Sequence, residues 1–105
     1  MTAPLDGSAE VLDRYFLDGA GTREEVVKRL LSLSDAPPAA APFLEGMRML
    51  RGRTPELSLL ALRLVLAGKS ATDEEVTRLR SVVERIRGGG EDASEARREY
   101  ERLVR

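Results

Sequence analysis

Apolar residues recur along this chain at helical spacing, and short polar turns punctuate them. Val11, Leu12, Tyr15 and Phe16 form a first stripe after Ser8, which stands where an N-cap belongs. Gly19 closes that segment. Thr22 opens a second one, in which Val26, Val27, Leu30 and Leu31 share a face. The cluster from Ser34 to Pro38 then breaks the chain, because proline lacks an N–H and pushes its predecessor out of the helical region. Ala39, Ala40 and Ala41 read as loop. Pro42 suits a first helical position, and Phe43, Leu44, Met47 and Leu50 line a short third helix ending at Gly52. Gly46 inside it costs about 1 kcal/mol relative to alanine.

The second half follows the same rhythm. Thr54 reads as a cap and Pro55 as the first-turn proline of a fourth helix. Leu57, Leu59, Leu60, Leu62, Leu64, Val65 and Leu66 cover every side of it, the pattern of a helix surrounded by its neighbours. Thr72 caps a fifth helix striped by Val76, Leu79, Val83 and Ile86, with Val82 alongside. Gly88, Gly89 and Gly90 form a flexible joint. Beyond it, Ala93, Ala96, Tyr100, Leu103 and Val104 mark a last amphipathic helix. The pattern predicts an all-α fold: a compact bundle of five to six short helices with a central apolar helix at about 55–67. Residues 1–90 make the bundle, and 91–105 pack on it as a C-terminal helix; the alternative is that this helix offers its stripe to another chain.

Thr-x-Glu-Glu-Val occurs twice, at 22–26 and at 72–76, each time shortly after a glycine. Both read as capping boxes. The threonine oxygen accepts the N–H three residues on, and that residue's glutamate reaches back to the threonine N–H. Glu24 and Glu74 add negative charge near the positive end of the helix dipole. Convergent helix starts explain the threonine and Glu25/Glu75. Duplication of a three-helix unit would also explain the shared glycine and valine, but the third helices, near Phe43 and near Ala93, do not match.

Composition narrows the chemistry. There is no cysteine and no histidine, which removes disulfides, thiolate sites and the commonest general base and metal ligand. Only Tyr15, Phe16, Phe43 and Tyr100 are aromatic, a thin supply for stacking nucleobases. The net charge is −1, so no global field favours nucleic acid or membrane. Charge is unevenly placed, however. Asp6, Glu10, Asp13 and Asp18 make an acidic head, while Arg48, Arg51, Arg53, Arg63 and Lys69 make a basic middle. The two attract each other within the fold or face different partners. The start lacks the basic and apolar parts of a signal peptide, and the longest apolar run falls short of the ~20 residues of a membrane span. A cytoplasmic protein is expected. Arginine outnumbers lysine fifteen to two, a bias that a GC-rich bacterial genome gives.

Several motifs fail on inspection. After Asp18, Gly19, Ala20 and Gly21 the acidic ligands of a calcium loop are missing. Gly68, Lys69 and Ser70 resemble the end of a phosphate loop, but Arg63 stands where its first glycine belongs. Glu24 and Glu25 point about 100° apart on a helix and form no carboxylate dyad. Serine and threonine have no histidine to activate them. No catalytic, metal or cofactor residues are expected.

Two functional readings remain. The leading one is a non-catalytic interaction or regulatory module, an adaptor or self-associating domain that binds another protein or a second copy. Its candidate partner-binding residues are the cluster Arg48, Arg51 and Arg53, whose planar guanidinium forks bind carboxylates, and Arg97, Tyr100 and Leu103 on the last helix. The alternative is a DNA-binding regulator using a helix-turn-helix at about 55–87. Asp73, Glu74 and Glu75 count against it, since they occupy the first turn of the would-be recognition helix, where phosphates approach.

Overall fold

The computed structural model describes residues 7–105. The start of the chain, with Asp6 of the acidic head, lies outside the described residues. Six α-helices follow one another: α1 (Ser8–Asp18), α2 (Arg23–Ser32), α3 (Ala41–Leu50), α4 (Glu56–Leu66), α5 (Asp73–Gly88) and α6 (Asp92–Val104). The described residues contain no strand, and none of their helices is long and apolar enough to cross a membrane. The all-α bundle expected from the periodicity is the fold observed.

Local chemistry sets several helix ends. Gly19 takes the left-handed conformation, φ 65°, and its N–H donates to the Tyr15 carbonyl, closing α1. Thr22 and Glu25 make the complete capping box of α2: the Glu25 N–H donates to Thr22 Oγ1 at 3.2 Å, and the Thr22 N–H donates to Glu25 Oε1 at 2.8 Å. At α5 only half of the expected box forms. The Glu75 N–H donates to Thr72 Oγ1 at 3.2 Å, but the Glu75 carboxylate turns to Arg78, 3.6 Å away.

Three other starts differ from expectation, the first because a distant group intervenes. Gly7, not Ser8, is the N-cap of α1. Ser8 is buried inside the helix, donating through N–H and O–H to the Asp35 carboxylate at 3.0 and 2.7 Å. Asp35, from the loop after α2, thus caps α1 across space, and a Cβ on Gly7 would meet it at 2.7 Å. Ala39 and Ala40, expected as loop, belong to a 3₁₀ turn over Pro38–Ala40, and Ala41 already starts α3. At α4 the N-cap is Pro55, because the Thr54 hydroxyl donates backward to the Arg51 carbonyl at 2.8 Å.

The core gathers one face of every helix. Leu12 and Phe16 of α1 meet Val26, Val27 and Leu30 of α2 and Met47 of α3. Leu59, Leu60, Leu62 and Leu64 of α4 join Leu79, Val82 and Val83 of α5. Ala96, Tyr100 and Val104 of α6 complete it. Burying each such side chain stabilises the fold by roughly 1.5–3 kcal/mol. The apolar cover of α4 is incomplete, since Leu57 stays 46% exposed.

The acidic head and the basic middle meet at one pair. Arg63, only 6% exposed, donates from Nε and Nη2 to the two Asp13 oxygens at 2.7 and 3.2 Å. The Tyr100 hydroxyl donates to the same carboxylate. One partly buried network therefore ties α1, α4 and α6. Burial, and then the bond to Asp13, push the Tyr100 phenol well above its ordinary range. A second bridge joins α1, α4 and α5: the Tyr15 hydroxyl donates to Glu56 at 3.0 Å, and Arg87 reaches Glu56 while lying over the Tyr15 ring.

Candidate interaction surface

The end of α3 behaves differently from the rest of the molecule. Met49 is 75% exposed and Leu50 41%, and with Leu57 they are the exposed large apolar side chains of the described residues. The helix does not run on to Gly52 as the sequence suggests; it stops at Leu50, and a 3₁₀ turn spans Arg51–Arg53. Arg51 takes φ 53° and ψ −127°, a conformation that glycine adopts readily and an L side chain does not. Such strain costs about 1–3 kcal/mol and persists only where surrounding structure holds it. Thr54, fully buried, holds it here: its N–H and O–H both donate to the Arg51 carbonyl, at 3.1 and 2.8 Å.

Around this turn lies an open depression of about 800 Å³, lined by Glu24, Arg48, Met49, Leu50, Arg51 and Arg53. Arg48 is half-engaged, with an exposed pair to Glu45 at 3.1 Å. Exposed pairs of this kind contribute at most about 1 kcal/mol. The Arg51 and Arg53 guanidiniums make no hydrogen bond or ion pair among the described residues. Chemically the corner is two exposed apolar side chains ringed by three cations, with Glu24 at its edge.

The expected site residues on α6 are placed elsewhere. Arg97 donates to the Leu17 carbonyl at 2.8 Å and to Asp18 at 3.1 Å, where it covers the last turn of α1. Tyr100 is 1% exposed and belongs to the core, and Leu103 is half-buried against it. The structure thus brings Arg48, Arg51 and Arg53 together and leaves the α6 residues engaged with the fold. Met49 was not singled out by sequence reasoning, because it falls outside the α3 stripe. Its only signal was its place beside three arginines. The Asp13–Arg63–Tyr100 network did have a signal, an arginine set between Leu62 and Leu64 in the most apolar helix of the chain. Compared with models of known protein families, with curated proteins and with solved structures, this chain matches none.

Proposed function

We propose that this protein is a non-catalytic, cytoplasmic interaction module that binds another protein through the corner at the end of α3. One observation carries the reading. Met49 and Leu50 are exposed beside Arg51 and Arg53, which make no ion pair among the described residues, next to a turn whose strained Arg51 is held by a buried threonine. An apolar centre with an arginine rim is the composition of a binding hot spot. Arginine also favours an acidic partner surface, because its fork takes both oxygens of a carboxylate. The DNA-binding alternative is disfavoured by α5, whose first turn presents Asp73, Glu74 and Glu75.

The test is a native pull-down with mass spectrometry, run on the unmodified chain and on Met49→Asp. The partner recovered with the unmodified chain is expected to be lost with the variant, while circular dichroism stays unchanged. Equal recovery by both would remove the corner from the account. A gel shift at low salt showing micromolar DNA affinity would replace the reading with its rival.

A further inference from the structure

A separate cleft of about 320 Å³ lies between α2 and the Arg51 turn, lined by Glu24, Glu25, Val27, Lys28, Leu31 and Arg51. Neither Met49 nor Leu50 lines it, so it is distinct from the partner-binding corner, with which it shares Glu24 and Arg51. A cleft of this size suits a small molecule, and such sites combine an apolar surface with a few placed polar groups. Glu24, Val27, Lys28 and Leu31 recur at the three- and four-residue spacing that sets them on one face of α2. Val27 is buried and Leu31 half-buried against the core. Glu25 is occupied by the capping box, where its Oε1 accepts the Thr22 N–H at 2.8 Å. The fold leaves the other three charges unused. The side chains of Glu24, Lys28 and Arg51 make no hydrogen bond or ion pair among the described residues. Arg51 also carries the strained backbone, and strain of that kind collects at ligand clamps.

We propose that this cleft binds a small apolar α-amino acid. Charge complementarity selects that class. A carboxylic acid alone would engage Lys28 and Arg51 but bring its charge against Glu24. An amine alone would suit Glu24 and be repelled by the two cations. A molecule carrying both groups uses all three. Its carboxylate takes the Lys28 ammonium and the Arg51 guanidinium, whose fork reaches both oxygens. Its ammonium donates to the Glu24 carboxylate. Its apolar side chain lies on Val27 and Leu31 and along the aliphatic stems of Lys28 and Arg51. Thr54 fixes the Arg51 backbone before the ligand arrives, which lowers the ordering cost of binding. The inference is independent of the partner reading, because the exposed apolar pair that carries that reading does not line this cleft.

The test is a nuclear magnetic resonance titration of the full chain with L-leucine, following the methyl signals of Val27 and Leu31. Saturable shifts at these two residues are expected. Leucinamide lacks the carboxylate and N-acetyl-leucine lacks the ammonium, so each is expected to bind about tenfold more weakly. Two variants assign the arms. Arg51→Gln should weaken leucine about tenfold and leave leucinamide unchanged, since leucinamide has no carboxylate to lose. Glu24→Gln should weaken leucine to the same degree and leave N-acetyl-leucine unchanged. Amide spectra away from the cleft check that each variant is folded. Should Arg51→Gln disturb the turn, Lys28→Gln on the regular part of α2 makes the same comparison. No saturable shift up to about 10 mM leucine would overturn the site. Analogues that bind as well as leucine, or variants that bind leucine as the unmodified chain does, would overturn the zwitterion assignment. Loss of leucine binding leaves partner capture through Met49 as a separate measurement, so the two readings fail separately.

Discussion

Arginine is used in two opposite ways in this molecule. On the α1–α4–α6 side, Arg63 is buried, doubly bonded to Asp13, and joined by Tyr100. At the end of α3, Arg51 and Arg53 lie exposed, on a strained turn next to apolar side chains that a stable fold would rather cover. Among the described residues no buried side-chain polar atom lacks a hydrogen-bond partner, so the first region is complete. The second has no such internal account. The lesson is that charge in the interior is explained by the fold itself, while the exposed charge at the end of α3 is accounted for only by what it is proposed to bind.

The largest effect that sharpens this contrast comes from the core. Leu62→Asp places a carboxylate at a fully buried position and should cost several kcal/mol, enough to unfold a domain of about 5–15 kcal/mol stability. Loss of cooperative melting is the expected readout. A folded variant with an altered assembly state would mean that the leucines of α4 face a partner. Next comes Asp13→Ala, which leaves the Arg63 charge buried and unpaired and should cost about 3–5 kcal/mol in chemical denaturation. Arg53→Ala, by contrast, should lie within about 0.5 kcal/mol of the unmodified chain. Equal costs for these two would erase the distinction between the regions.

Alkali provides a third test. The folded state holds Tyr100 neutral, so its phenol ionises at higher pH in the fold than in the unfolded chain. Its contribution is therefore fully present below about pH 10, the unfolded value, and is lost progressively as pH rises from there towards the folded value. Denaturation midpoints measured across this range should fall, and Tyr100→Phe should flatten the slope. A slope unchanged in Tyr100→Phe would assign it to other groups, Tyr15 first among them, since it too is raised, chiefly by burial. A further effect has the opposite sign. Arg51→Gly relieves the strained conformation and should raise stability by about 1 kcal/mol while weakening partner capture. A destabilised Arg51→Gly would mean that the arginine side chain serves the fold.

What the sequence reveals follows the range of the interaction. Gly19, Thr22 and Thr72 act on atoms within four residues, so the ends of α1, α2 and α5 were readable. Ser8 and Thr54 looked like caps of the same kind, but their partners, Asp35 and the Arg51 carbonyl, are set by tertiary position or by strain. The basic cluster was legible as composition. The exposure of Met49 and Leu50 was not, because periodicity marks an apolar face without saying what covers it. Arg51 was invisible for a simpler reason: a positive φ is ordinarily a glycine's conformation, and a glycine stands beside it.

The central claim is that the end of α3 binds a partner while α6 serves the fold. Backbone hydrogen exchange compares them directly, in the free chain and in the complex recovered with it. The account predicts new protection at residues 47–57 and none on the outer face of α6. Protection confined to α6, or spread over the outer face of α5, would contradict it.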